Sequence, residues 1–351
     1  MTRGTVVRLL RSSLYSLLLI GSYCSKVAAQ SVVSGTEGVT ALFQIAGGVA
    51  AFDESAAALV MFGREGSSLK ERQRYAVNGS VWGVAEGGGS TFVVVGMGRR
   101  DLSAPLKVLQ FDQKGSARTI FEHQGERNQA SQLTYRDGRL WLTYFESKYM
   151  TRTGYCKPHI EQGCSFVEVA RMRLGDAVDV SGDLVVIGRP YGDIQGQDGD
   201  LILVEKGQQT LLPSYRGVRS VAFFGNGSDK AIAIGDGWHQ NYGQIAQGRL
   251  SILTRKPDDS RYALTLIDRD AAQYGFAKIV PFTQGGAQFL AVLGNRTLST
   301  YGPAPQWNKR EWYVQSSVDT PLDVALIESS SSNAWFAVLD KGIRLIEVKS
   351  S

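Results

Sequence analysis

Short apolar runs punctuated by Gly, Asp and Ser turns recur along the whole chain. They are "FVVVG" from Phe92, "LWLTY" from Leu140, "LVVIG" from Leu184, "AIAIG" from Ala231, "FLAVLG" from Phe289 and "WFAVLD" from Trp335, with a less regular "VAAFD" from Val49. The interval is about 45 residues, and each run is too short for a helix and rich in β-branched and aromatic residues. Alternating strands surround them. One unit reads "DAVDVSG", "DLVVIGR", "DLILVEKG" and "QTLLPSY"; the next reads "RSVAFFG", "KAIAIGD", "RLSILTRK" and "YALTLID". Four short antiparallel strands at this period predict an all-β fold, a seven-bladed β-propeller, with six or eight blades as the alternative. Closing such a ring removes sheet edges that an open stack would expose. The last unit holds three strands and ends in "GIRLIEVKSS", so "QSVVSG" from Gln30 is expected to supply the fourth.

The pattern breaks only at the start. "MTRGTVVRLLR" is basic and acid-free, "SLYSLLLIGSYC" is a short apolar core, and Val27 and Ala29 are small residues before a cut. These are the parts of a secretory signal peptide, with a core too short to span a bilayer. The expected organisation is a signal peptide over 1–29 and a single propeller domain over 30–351, without a transmembrane segment in the mature chain. The predicted location is exported, periplasmic or extracellular, with a mitochondrial transit peptide as the alternative.

Removing the leader changes the charge and the cysteine count. The full chain has 38 basic and 33 acidic residues, a formal +5; loss of Arg3, Arg8, Arg11 and Lys26 leaves 34 against 33, or +1. That argues against a nucleic-acid partner. Cys24 leaves too, and Cys156 and Cys164 remain as a nearby pair, expected to form one disulfide in an oxidising compartment; two free thiols are the reading for a reducing one. Three sequons, at Asn78, Asn226 and Asn295, matter if the chain passes through a eukaryotic secretory pathway, and Asn226-Gly227 also suits a hairpin turn.

In a four-stranded blade, all loops between second and third strands emerge on one face. Units one, six and seven have short ones, "DES", "GNR" and "DKG". Units two to five read as long: "GMGRRDLSAP", "FESKYMTRTGYCKPHIEQGC", "GRPYGDIQGQDGD" and "GDGWHQNYGQIAQGR". The expected result is a raised wall over blades 2–5 that binds a protein or glycan ligand. Its candidate binding residues are Arg99 and Arg100 in unit two, Arg189, Tyr191 and Asp193 in unit four, and Asp236, Trp238, His239 and Tyr242 in unit five. Aromatic and hydrogen-bonding side chains of this kind suit sugars and small molecules. Equally, Trp238 and Tyr242 can pack against neighbouring blades while Asp236 caps a turn.

Other chemistries are less well supported. His123, His159 and His239 lie in three different units, against a zinc site, and no serine occupies a nucleophile elbow. Asp193, Gln195, Asp198 and Asp200 form an oxygen-rich, glycine-containing stretch that could hold calcium, although its spacing departs from an EF-hand loop. No cofactor is otherwise expected.

"VSGDLVVIGRPYGDIQGQDGDLILVEK" from Val180 and "YGFAKIV" from Tyr274 resemble the FG-GAP and VCBS-type repeats of exported propeller proteins, with Gly188-Arg189-Pro190 where those repeats carry Gly-Ala-Pro. "GDGWHQNYGQIAQGRLSIL" looks like a loop of bacterial VCBS-type proteins. The resemblance covers roughly residues 174–300 and the remainder by period alone. It implies a propeller with an extracytoplasmic binding role. The calcium loop common in those repeats is degenerate here, since "GNGSDKAIAIGD" from Gly225 lacks its run of aspartates. The leading expectation is thus a non-catalytic exported propeller. A carbohydrate-active hydrolase or lyase, with Asp236 and His239 as acid and base, and a structural subunit of an envelope complex are the alternatives.

Overall fold

A computed structural model describes residues 32–98, 102–158, 163–175, 177–190, 199–215, 217–225, 230–237, 248–255, 262–272, 276–294, 297–314 and 323–349. The unit Val32–Ser351 is compact in itself. Its described residues form seven antiparallel sheets and no helix.

Blade 1 comprises β1 (Val39–Ile45), β2 (Gly48–Asp53), β3 (Ala58–Glu65) and β4 (Ser68–Ala76). Blade 2 comprises β5 (Ser80–Gly87), β6 (Ser90–Gly96), β7 (Leu106–Phe111) and β8 (Ala117–His123). Blade 3 has β9 (Ala130–Arg136), β10 (Arg139–Phe145), β11 (Met150–Cys156) and β12 (Val167–Arg173). Blade 4 has β13 (Ala177–Ser181), β14 (Leu184–Gly188), β15 (Gly199–Glu205) and β16 (Gln208–Tyr215). Blade 5 has β17 (Ser220–Phe224), β18 (Ala231–Asp236), β19 (Gly248–Arg255) and β20 (Tyr262–Ala272). Blade 6 has β21 (Phe276–Gln284), β22 (Ala287–Gly294), β23 (Thr297–Tyr301) and β24 (Lys309–Val314), and blade 7 has β25 (Asp323–Ser329), β26 (Asn333–Leu339) and β27 (Ile343–Lys349). Strands follow one another in sequence order within each sheet. The seven-bladed propeller expected from the repeat is therefore the observed fold.

The first strand of each blade lines the axis and packs against the first strand of the next, and β1 closes the ring against β25. The recurrent apolar runs are the second strands. They are covered by neighbouring blades on both faces and by partner strands on both edges, so Val93, Val94, Val185, Val186 and Ala233 are fully buried. Each fully buried Val or Leu contributes about 1.5–3 kcal/mol, which explains why hydrophobicity concentrates here. The core is a set of inter-blade layers rather than one centre, such as the layer of Ala177, Val186, Leu201, Leu203, Val218, Ile232, Ile234 and Leu253 between blades 4 and 5. Between blades 2 and 3 Gly83 of β5 meets β9, where an added Cβ would stand 2.7 Å from the Leu133 Cβ.

Blade 7 is a three-stranded sheet, and the start of the unit is joined to it by an isolated bridge rather than by a full fourth strand. Val32 bridges Arg344 in antiparallel fashion, and the Val33 amide donates to the Ile343 carbonyl at 2.7 Å. Thr36, 1 % exposed, fastens this join: its hydroxyl donates to the Val33 carbonyl at 2.6 Å and accepts from the Ile343 amide at 2.9 Å.

Blade 3 departs from the sequence reading. The connection between β10 and β11 is a short turn over residues 146–149, and "MTRTGYC" is the third strand rather than part of a loop. Its buried positions are Thr151, Thr153, Gly154 and Cys156, and the two threonines satisfy their hydroxyls inside the sheet. Thr153 pairs with the Thr143 hydroxyl at 3.0 Å, and Thr151 donates to the Met172 carbonyl at 3.1 Å. Threonine has strand propensity without hydrophobicity, so the strand carries no apolar signature. The long cysteine-bearing loop is consequently the β11–β12 connection, on the opposite face from the second-to-third loops.

Candidate functional site

The second-to-third loop face carries three long connections, β6–β7, β14–β15 and β18–β19, in blades 2, 4 and 5. Blade 3 contributes only its short turn, so the expected continuous wall over blades 2–5 is interrupted there.

Two of the long loops share one construction at their roots. In blade 4, Arg189 directly follows β14 and Asp200 stands near the start of β15; the guanidinium Nη2 donates to Asp200 Oδ2, and the Arg189 amide donates to the Asp200 carbonyl at 2.9 Å. In blade 5, Asp236 ends β18 opposite Arg249 of β19 in the ladder. The Arg249 fork grips both carboxylate oxygens, Nε to Oδ1 at 2.8 Å and Nη2 to Oδ2 at 2.6 Å. Asp236 is 1 % exposed and Arg249 is 32 % exposed. The two blades thus close their loops with the same cross-strand ion pair, written in opposite order. In blade 5 the bidentate pairing fixes direction as well as distance, and in blade 4 the amide-to-carbonyl bond adds a second tie beside the ion pair, so each loop leaves a defined base.

Of the predicted site residues, Arg189 and Asp236 occupy these roots. Arg99, Arg100, Tyr191, Asp193, Trp238, His239 and Tyr242 lie outside the described residues, as do Gln195 and Asp198 of the calcium reading. Asp200, the remaining member of that set, is engaged by Arg189. Cys156 and Cys164 are disulfide-bonded with a Cα–Cα separation of 5.4 Å, and this bridge staples the opposite face.

Sequence reasoning missed a cleft of about 540 Å³ between blades 1 and 2 on the long-loop face. Glu54 and Ala57 of the β2–β3 turn, Asn78 of the blade connection, Ser80 at the start of β5, and Ala104 and Pro105 of the β6–β7 loop border it. Phe52, Val95 and Leu109 supply apolar wall, and Lys107 and Thr119 stand on the outer strands. A mixed lining of this size suits a small ligand or one side chain of a larger one. The residues come from five separate segments, so no local motif announces them. Asn78 belongs to a sequon and is exposed at this rim; Asn226 and Asn295 lie outside the described residues.

Sequence reasoning also missed the polar lining of the axis, a cavity of about 340 Å³ bounded by the inner strands of blades 1, 3, 4, 5 and 6. Asp179 of β13 accepts from the Val180 amide and, across the blade boundary, from the Phe223 amide of β17, both at 2.8 Å. Arg136 of β9 stands 3.6 Å from Oδ1, the oxygen that takes the Val180 amide. Burial pushes the Asp179 carboxyl above its ordinary range, against the pull of Arg136 and the two amides. Asp323 repeats the device: it accepts from Val324 at 2.7 Å and from Leu42 of blade 1 at 2.9 Å, with the Lys278 ammonium of blade 6 at 3.0 Å. Ser220 joins blades 5 and 6 by accepting from the Ile279 amide at 2.9 Å. The available signal was an acid inside an apolar first strand, "VDVS" and "LDVA". These side chains stitch blades together, each engaged by a group of a neighbouring blade.

No protein-family model and no curated protein matches the chain. Solved structures do. A chain of Kuenenia stuttgartiensis hydrazine synthase superposes with a TM-score of 0.61 at 10 % identity, covering 92 % of this chain and 99 % of that one. A Bacteroides uniformis protein described as a candidate 6-phosphogluconolactonase gives 0.52 at 13 % identity over 78 % and 84 %. A functionally unknown protein from Desulfotomaculum acetoxidans gives 0.50 at 11 % identity over 79 % and 90 %. At such identities the likeness is one of fold, and what it establishes is that this chain is a β-propeller.

Proposed function

We propose that this chain is an exported, non-catalytic propeller of the FG-GAP/VCBS type that binds a protein or glycan on the face bearing the β6–β7, β14–β15 and β18–β19 loops. The observation that carries the reading is the cleft beside the β6–β7 loop, concave, mixed in lining and on the same face as the other long connections. The clamped loop roots support it, because binding loops on a fixed base lose less entropy when a ligand arrives. Residues 1–29 act as the signal peptide, and the disulfide suits the oxidising compartment beyond the membrane.

The loop-root geometry also favours binding over the hydrolase or lyase alternative. A general acid or base must reach a substrate proton, whereas the Asp236 carboxylate is buried with both oxygens in the Arg249 fork. Asp236 therefore serves the site by positioning its loop, and Trp238, His239 and Tyr242 are the residues on that loop proposed to meet the ligand.

Retention of molecules from a cell extract, followed by mass spectrometry, identifies the ligand. Ala104→Trp, which fills the cleft, and the double variant Trp238→Ala/Tyr242→Ala should each weaken its retention at least about tenfold, the value of 1.4 kcal/mol, with unchanged melting. Undiminished retention in both variants would remove this face as the site. Chemical conversion of a retained glycan would replace the binding reading with the enzymatic one.

A further inference from the structure

We infer that the outer edge of blade 5 pairs with the same edge of a second copy of this chain, forming a two-fold dimer. The outermost strand of a blade presents a row of unpaired backbone donors and acceptors, and charge, proline or a covering segment normally guards such an edge. Those guards are present elsewhere in the ring. Charged residues stand along β4, β8, β12 and β24, among them Arg72, Arg118, Arg171 and Arg310; β16 carries Pro213; Val32 lies against β27.

Strand β20 differs. It is the longest described strand, and its first six residues, "YALTLI" over 262–267, carry neither charge nor proline. Leu264 and Leu266 are 51 % and 44 % exposed, although each sits in a regular ladder position, opposite Leu253 and Ser251 of β19. Leu253 belongs to the layer between blades 4 and 5, so alternation puts Tyr262, Leu264 and Leu266 on that side of the sheet. The register is unbroken from Tyr262 to Leu266, and the irregularity comes after it.

This stretch is self-complementary. Antiparallel pairing centred on Leu264 sets Leu264 of one copy against Leu264 of the other, Tyr262 against Leu266, and Ala263 against Thr265. Tyr262, Leu264 and Leu266 of both copies then gather on one side, and no charge faces a like charge. Aromatic–aliphatic and aliphatic pairs of this kind each favour a sheet by about 0.2–1 kcal/mol. Asp268, the acid next along the strand, is turned towards blade 6, where the Tyr301 hydroxyl donates to it at 2.7 Å and Lys309 lies at 3.5 Å. Glu205 beside Tyr262 is paired with Arg255 at 3.6 Å. A foreign strand would need matching apolar residues, whereas a second copy supplies them. Symmetry also closes the assembly, because each chain uses its unguarded edge once and the pair cannot grow into a filament. So short an edge buries less than a standard protein interface, and the association is correspondingly weak and concentration-dependent.

The test uses the purified protein in a Cys24→Ser background. Sedimentation should give a mass that rises towards twice the monomer with concentration. Leu264→Lys should abolish the rise and leave the melting temperature unchanged at low, monomeric concentration, since the side chain is exposed in the single chain. Under mild oxidation Leu264→Cys should form a covalent dimer at least about tenfold faster than Leu211→Cys, because only position 264 faces itself across the two-fold; Leu211 is a control of 65 % exposure on blade 4. A constant monomer mass, persistence of the dimer in Leu264→Lys, or equal cross-linking of the two cysteine variants would each overturn the inference.

Discussion

Removing Arg249 should cost more stability than removing the aspartate it holds. In Arg249→Ala the Asp236 carboxylate, 1 % exposed, loses the fork that satisfied both of its oxygens. A buried charge deprived of its partner costs about 3–5 kcal/mol. In Asp236→Ala the remaining guanidinium is 32 % exposed and can turn towards water, so the cost falls to about 1–2 kcal/mol. The double variant should lie below Arg249→Ala alone, because it removes the stranded charge together with the pair. Blade 4 is an internal control: Arg189 is 8 % and Asp200 17 % exposed, so neither partner escapes to solvent and the two single substitutions there should cost nearly the same. Urea unfolding at pH 7, comparing midpoints at constant slope, measures all of these differences. An Asp236→Ala cost equal to or above that of Arg249→Ala would refute the reasoning, as would a double variant equal to the sum of the singles.

Two further outcomes follow from buried hydrogen bonds elsewhere in the ring. Burial works to raise the Asp268 carboxyl, but the Asp270 amide, the Tyr301 hydroxyl and the Lys309 ammonium outweigh it and hold the group below its ordinary 3.8. A depressed carboxylate stabilises the fold above its unfolded value and loses that contribution as pH falls through the folded one. Tyr301→Phe should therefore cost about 1.5–3 kcal/mol at pH 7, with the deficit shrinking below about pH 3.8; a deficit independent of pH across that window would count against the Asp268 bond as its source. Thr36→Val should cost about 2 kcal/mol and reduce hydrogen-exchange protection in β27, because it strands the Ile343 amide at the join. Unchanged protection there would show that Thr36 does not hold the ring closed.

The blades were legible because their second strands must be apolar throughout, a demand that leaves the same mark seven times. The closing contact of the N-terminal segment could also be inferred, since a blade one strand short needs a partner from somewhere, and Val32 meets β27 there, by one bridge rather than as a whole strand. Legibility failed where burial was met by polarity. Strand β11 buries Thr151 and Thr153 with their hydroxyls satisfied inside the sheet, so its sequence reads as loop and points the disulfide to the wrong face. Asp236 looked reactive in the one-dimensional text because its partner Arg249 lies thirteen positions away, across a loop. The blade 1–2 cleft and the axial stitching by Asp179, Asp323 and Ser220 draw on residues from several blades at once. Such sites come from the curvature of the ring, which leaves no periodic trace.

The join at Thr36 ties together atoms 307 positions apart in the chain. During synthesis the segment that seals the ring emerges ahead of every blade, yet its partner β27 is the last described strand to be made. Nearly the whole propeller must therefore be present before its opening residues have anything to pair with. Such non-local closure slows folding and leaves the unsealed chain open to pairing elsewhere. Moving residues 32–38 to the C-terminus by circular permutation would make the same contact local, and refolding should then quicken while the finished ring keeps its strand order.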